Sequence, residues 1–351
     1  MPSPASLPRS LQVLLASVSR SFGLSLRLLP PEVRPVISLA YLLARTSDTL
    51  ADAAHVPVAK RTEALQTLLT QLATPSSPAA LPLHTFQQAQ LPEAELALLT
   101  QWPNCLKALA QLPSTDQESI RRVLTPIGEG QLLDLQRGLQ PLATLATEND
   151  LDTYTWQVAG CVGRFWTDCL RSHLPHTLCL PVEKMQALGE HYGQGLQRLN
   201  ILLDAAQDLD NGRCYFSVQS LQKLGLSPQQ LQQASQAHDT ATLARLAPLQ
   251  VQWFDQVEHA LRDGLRYSCA LTSWRLRLAS ALPALVGAAS LHLLRRQPTA
   301  SLTQRLKWPR AALQKHLLLL ILQGARPRAL QQQFERLLQG KAAPGNATIT
   351  P

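Results

Sequence analysis

Apolar residues recur at helical spacing along most of the chain, as at Leu11, Leu14, Leu15 and Val18 and again at Leu196, Leu199, Leu203 and Ala206. That period is the signature of helices with one buried face. Strand-like alternation is essentially absent. Pro and Gly interrupt the pattern at Pro30-Pro31, Thr74-Pro75-Ser76-Ser77-Pro78, Pro92, Pro113, Pro181, Asn211-Gly212, Pro228 and Pro298, cutting it into roughly ten to twelve helices of ordinary length. Residues 74–91 read as an irregular surface excursion, and residues 341–351 as a disordered tail. No break in composition separates two halves, so residues 1–340 are expected to form one all-α domain. In such a fold, acidic helices far apart in sequence can be brought to one cavity. The most apolar later stretches, residues 278–294 and 316–323, contain Ser280, Pro283 and His292 or are short. Neither is expected to span a bilayer.

Composition narrows the classes of partner. Of 351 residues, 45% are hydrophobic, 16% charged and 5% aromatic, enough apolar material for a large core and too few β-branched and aromatic runs for a sheet protein. Lys and Arg number 32 against 24 Asp and Glu, a formal net charge of +8. An anionic partner is expected: nucleic acid, a lipid surface or a phosphorylated small molecule. Outside Arg295-Arg296 and residues 305–310 the basic residues are scattered, with no basic helix face and no aromatic interleaving. A basic helical binder of nucleic acid or membrane, the non-enzyme reading, is therefore disfavoured. The six cysteines form no CxxC pair and no cluster with histidine, which argues against zinc and a disulfide scaffold. They are expected to be reduced and buried in a cytoplasmic protein, and the N-terminus lacks the features of a signal peptide.

Two acidic constellations carry the chemistry. Asp48-Thr-Leu-Ala-Asp52 closes an apolar run that begins near Val36 and passes through Tyr41 and Arg45. On a helix, positions four apart share a face, so both carboxylates project together below Tyr41 and Arg45. Alone, such a pair is an ordinary solvated helix end. Asn200-Ile-Leu-Leu-Asp204-Ala-Ala-Gln-Asp208 changes the weighing, because three oxygen-bearing side chains at i, i+4 and i+8 are flanked by Leu199, Ile201, Leu202 and Leu203. A carboxylate stripe on an otherwise buried helix needs a counter-charge. Hard divalent cations supply it, taking one or two carboxylates and completing their shells with water and phosphate oxygens. Ser19-Arg20-Ser21-Phe22 lies upstream of the first motif and Asn211-Gly-Arg213-Cys-Tyr215-Phe216 follows the second. Their guanidinium and hydroxyl groups suit phosphate oxygens.

In these pieces the chain resembles the squalene and phytoene synthase family, the trans-isoprenoid synthases that join two prenyl diphosphates head to head. The resemblance rests on SRSF at 19–22, YLLARTSDTLAD at 41–52, YTWQVAGCVG at 154–163 and QRLNILLDAAQDLDNGRCYF at 197–216, and runs over residues 11–338. It implies an all-α isoprenoid synthase fold with helices around a central cavity. It implies that Asp48, Asp52, Asp204 and Asp208, with Asn200, hold Mg2+, Mn2+ being the alternative cation. Ser19, Arg20, Ser21, Arg45, Gln197, Asn200 and Arg213 correspond to diphosphate contacts, and Tyr41 and Tyr154 to aromatic positions at the reacting chains. The small residues Val158, Ala159, Gly160, Val162 and Gly163 fit a helix that leaves room for prenyl chains, a role compatible with close helix packing. The basic stretch at Lys307 and Arg310 resembles one that contacts NADPH in squalene synthases.

The implied reaction couples two farnesyl diphosphates through presqualene diphosphate to squalene, the DTLAD form of the first motif favouring the squalene type. The alternatives are a phytoene-type synthase on geranylgeranyl diphosphate, or an enzyme stopping at presqualene diphosphate or dehydrosqualene. Leu203 stands where an arginine is usual and Gln207 where a glutamate is common. A monomer, cytoplasmic or peripheral to a membrane, is the expected state, with prenyl diphosphates as partners and no nucleic acid.

Overall fold

A computed structural model of the chain describes residues 7–19, 23–74, 81–304 and 326–341. The described structure is almost entirely helical, as the periodicity requires. By its internal contacts the chain divides into two compact units: Met1–Leu139 with Arg164–Leu178, and Gln140–Gly163 with Cys179–Pro351.

The first unit contains α1 (Arg9–Val18), α2 (Gly23–Leu28), α3 (Arg34–Asp52), α4 (Val58–Ala73), α5 (Leu83–Gln88), α6 (Glu93–Thr100), α7 (Trp102–Ala110) and α8 (Ser114–Arg137). Proline opens several of them: Pro8, Pro57, Pro92 and Pro113 stand immediately before α1, α4, α6 and α8. The ring fixes φ near the helical value, and its missing N–H is not needed before the first turn. Helix α3 packs on α4, α6, α7 and α8, and α4 also packs on α8. A Cβ placed on Gly128 of α8 would run into the side chain of Leu69 on α4, so the glycine permits a close helix crossing there. Within residues 74–91, expected to be irregular, Leu83–Gln88 forms α5, whose Phe86 is fully buried, while residues 75–80 lie outside the described residues. One apolar anchor suffices for a six-residue helix and leaves no periodic pattern to read.

The second unit contains β1 (Ala143–Thr144), α9 (Glu148–Thr155), a π-helical turn at Trp156–Gly160, the start of α10 (Cys161–His173), α11 (Val182–Leu203), α12 (Ala205–Asp210) and β2 (Arg213–Cys214). It continues with α13 (Val218–Lys223), α14 (Pro228–Gln236), α15 (Thr240–Ala244), α16 (Ala247–Cys269), α17 (Trp274–Arg296) and the helix Pro327–Leu338. The long helices α11, α16 and α17 pack on one another. The two strands form a minimal parallel pair, Ala143 beside Arg213 and Thr144 beside Cys214. Short helices such as α2, α12 and α13, six residues each, raise the number of helices above the roughly ten to twelve expected, because a single turn or two shows no period.

Between α11 and the π turn the backbones touch. A Cβ on Gly163 would overlap the carbonyl of Gly189, and one on Gly193 would overlap that of Ala159. Close helix packing, one of the two compatible readings of the small-residue segment, is observed here. Helix α17 runs unbroken through Pro283. Among the described residues it is the one helix long and apolar enough to cross a membrane, and 72% of its apolar window is buried within the protein. That burial is the mark of a core helix.

All six cysteines are free, and Cys105, Cys161, Cys169 and Cys214 are buried as expected. Cys179 is exposed and Cys269 half-buried, which corrects the expectation for those two. Residues 342–351 of the expected tail lie outside the described residues.

Candidate functional site

In the first unit, α3 is buried on every face but one. From Pro35 to Ala51 the residues left open are Tyr41, Ala44, Arg45 and Asp48, and Asp52 follows in the last turn. Their spacing of four, three and four residues from Tyr41 makes one stripe along the helix. The sequence placed these four polar side chains on one face; the structure shows in addition that no other face is open. The Tyr41 hydroxyl donates to the carbonyl of Val18 at 3.2 Å. Arg45 Nη2 donates to Glu95 Oε1 at 2.7 Å, and Nη1 lies 3.8 Å from Asp48 Oδ2. Gln131 Nε2, from α8, donates to Asp48 Oδ1 at 2.7 Å. Glu95 and Gln131 were not legible as site residues, since neither belongs to a motif and each meets the stripe across 50 or more positions of sequence.

Electrostatics single out Asp48. Desolvation in a recess walled by protein, followed by the nearby Asp52 charge, pushes its carboxyl from 3.8 up to about 6, against the opposing pull of Arg45 and Gln131. Its side chain still keeps 43% of its surface open, so the group is recessed but reachable. A carboxylate held in this way is short of positive charge.

Ser19, just upstream, is buried at the end of α1, and its carbonyl accepts from the Gly23 amide at 2.9 Å. A Cβ on Gly23 would strike the Ser19 side chain. Arg20 and Ser21 lie outside the described residues.

In the second unit, the expected continuous acidic helix is interrupted. Asp204 leaves helical geometry with φ −101° and ψ 9°, ending α11 and opening α12. The four-residue ladder nevertheless carries on, the Asp204 amide donating to Asn200 O and the Asp208 amide to Asp204 O, both at 2.9 Å. The three side chains therefore keep their order with a bend between them. Asn200 is exposed, while Gln197, Leu203, Asp204 and Asp208 are half-buried. Gln207 is exposed and donates to Asn211 Oδ1 at 3.3 Å. Asp208 and Arg213 line one small open recess together with Tyr215, Phe216, Ile201 and Leu209. Tyr154 is buried, stacks on Tyr215 with ring centroids 5.3 Å apart, and shares a 3.3 Å hydrogen bond with its hydroxyl.

A residue that sequence reasoning passed over holds this half in place. Arg198, on α11, is buried among Asp152 and Glu148 of α9, with which it forms ion pairs, and Gln256 of α16, to which it donates at 2.8 Å. Its guanidinium also lies over Trp253, 5.3 Å from the ring centroid. Glu148 in turn accepts from Ser217 and Ser220 at 2.7 and 2.8 Å. A buried cation in a run of apolar residues reads as an anomaly in one dimension and is satisfied only in three.

The donors on both stripes are carboxylate and amide oxygens, the chemistry of Mg2+ or Mn2+. Among the described residues no group of three or more His, Cys, Asp or Glu side chains is placed to hold a metal alone. A cation here would take one or two carboxylates and fill its shell from water and phosphate, as Mg2+ commonly does. Lys307 and Arg310 lie outside the described residues.

Comparison with known proteins points to one family. The squalene synthase of Saccharomyces cerevisiae is 28% identical over 216 residues, covering 58% of this chain and 44% of that protein. A bifunctional lycopene cyclase/phytoene synthase of Phaeosphaeria nodorum is 28% identical over 211 residues, 60% of this chain and 34% of that one. The chain thus spans less than half the length of these relatives. Among solved structures, ligand-bound TcSQS superposes with a TM-score of 0.76 at 20% identity, covering 98% of this chain and 94% of that one, a likeness of fold. The squalene/phytoene synthase family model matches residues 15–312, most of the chain, and the chain belongs to that family.

Proposed function

We propose that the protein is a prenyltransferase that condenses two farnesyl diphosphates head to head through presqualene diphosphate to squalene, with Mg2+ as the working cation. The observation that carries the reading is α3: a helix closed on every face except a stripe of Tyr41, Arg45, Asp48 and Asp52, at the position of a family motif. In this reading Asp48 and Asp52 in one unit, and Asn200, Asp204 and Asp208 in the other, hold the cations that meet the substrates' diphosphates. Bound Mg2+ would neutralise charge on the departing diphosphate.

The chain's own groups do the rest. Arg45, Arg213 and Gln197, with Ser19, Arg20 and Ser21, bind the diphosphate oxygens, which charge-assisted hydrogen bonds favour most as negative charge builds up on them. Tyr41 and Tyr154 are the aromatic positions at the allylic chain in this reading, and a ring face stabilises a nearby carbocation. The apolar surroundings keep water from that cation. NADPH, with Lys307 and Arg310 as its contacts, is the reductant that would end the second half-reaction. The catalyst is proposed to work as a monomer, in the cytoplasm or at a membrane surface, where substrates with long apolar tails collect.

A phytoene-type reaction on geranylgeranyl diphosphate is the second reading, supported by the similarity to the Phaeosphaeria protein, and release of dehydrosqualene or presqualene diphosphate is the third. Incubation with farnesyl or geranylgeranyl diphosphate and Mg2+, with and without NADPH, followed by mass analysis of the products, separates them. A C30 hydrocarbon formed only with NADPH is expected; a C40 hydrocarbon from geranylgeranyl diphosphate would overturn the choice.

A further inference from the structure

Asp48 is gripped from two sides by groups of different kind. Its Oδ1 accepts a 2.7 Å hydrogen bond from the Gln131 amide, while its Oδ2 faces the Arg45 guanidinium at 3.8 Å. Arg45 is the weaker holder, for it sits closer to Glu95, at 2.7 Å. The short contact to Asp48 is therefore the neutral one. Gln131 reaches it from α8, past the buried Gly128 and Gly130, where that helix comes close to α4. The other end of the same amide, Oε1, is buried without a hydrogen-bond partner. Leaving a buried carbonyl oxygen unpaired costs the hydration that group would have in water. A leucine or methionine of similar length would avoid that cost and fill the same space. The hydrogen bond this amide makes goes to a residue proposed to hold the cation.

We propose that Gln131 is a positioning residue for the cation-binding carboxylate of α3: it ties down Asp48 Oδ1 and so presents Oδ2, with one fixed rotamer, to a divalent cation. The inference rests on the metal-binding reading given above. Gln131 contributes no charge, so it orients the carboxylate without neutralising it, which a lysine or arginine in its place would do. Outer partners of this kind typically alter metal affinity about tenfold to a hundredfold when removed.

The test measures binding directly. Mn2+ affinity is followed by the loss of the free-ion electron paramagnetic resonance signal, with inorganic diphosphate present, for the wild type, Gln131→Met, Asp48→Asn and the double variant. The expected result is Mn2+ binding at least tenfold weaker in Gln131→Met, with unchanged circular dichroism, and no further weakening when that change is added to Asp48→Asn. Such non-additivity is what a residue acting through Asp48 must give. If Gln131→Met does not fold, Gln131→Asn, whose amide is one methylene short of Asp48, takes its place with the same expectation. Equal affinity in wild type and the Gln131 variant, or an independent loss in the double variant, would overturn the positioning role while leaving the metal site standing. Absence of Mn2+ binding in the wild type would overturn both.

Discussion

The Asp48 carboxylate is costly to the fold, and the proposed site puts that charge to use. Its folded carboxyl titrates at about 6 rather than 3.8, chiefly because of desolvation and then because of Asp52. The folded chain therefore binds this proton more tightly than the unfolded chain. The stabilisation from that proton is complete below pH 3.8 and lost as pH rises through 6. In the metal-free protein, Asp48→Asn should melt higher than wild type at pH 7.5, with the gap closing as pH falls toward 4. Melting curves at four or five pH values check this; a gap that ignores pH would show that the recess does not act on the charge. The same substitution, and Asp204→Asn likewise, should lower turnover by about two orders of magnitude or more with the fold intact, since each removes a carboxylate proposed to hold a cation. Steady-state rates beside circular dichroism decide it, and near-normal turnover in both variants would remove the metal reading.

At the scale of elements, the acidic stripes are only as good as the helices that aim them. Arg198 anchors α11 to α9 and α16. Replacing it by methionine keeps much of the packing but releases Glu148 and Asp152, whose side chains are 29% and 55% open and can hydrate. The expected loss is thus about 1–3 kcal/mol, below that of a fully buried pair. Arg198→Lys should recover less than half of it, because one ammonium cannot repeat the planar fork. Urea unfolding of the two variants measures both. This network also shows why some of the site was readable in the chain and some was not. Tyr41, Arg45, Asp48 and Asp52 could be placed on one face because apolar residues fill the rest of α3. The bend at Asp204 could not, because no proline or glycine marks it. Gln131 lies 83 residues from the carboxylate it touches, and only packing reveals such a pairing. Helix α5 escaped notice because a single buried phenylalanine holds it.

For the molecule as a whole, the surplus of 32 basic over 24 acidic residues proved a poor guide to function, since the informative residues are aspartates. Several arginines are engaged within the protein: Arg295 pairs with Asp255 and Glu258, and Arg262 with Glu258 and Glu335. The apolar helix α17 is likewise spent internally, being 72% buried over its apolar window.

One feature of the thiols has a practical use. Burial pushes Cys105, Cys161 and Cys214 up to about 12 and raises Cys169 and Cys269 as well, so at neutral pH these five hold almost no reactive thiolate. Cys179 is the exposed one. A maleimide should modify one thiol rapidly in the native protein and all six after unfolding, counted by mass spectrometry. Cys179 lies just before α11, whose 22 residues set a dye there about 33 Å along the helix from Asp204. The chain thus carries its own attachment point for a fluorophore, far enough from the acidic bend to leave it undisturbed and near enough for energy transfer to report a labelled substrate analogue arriving there.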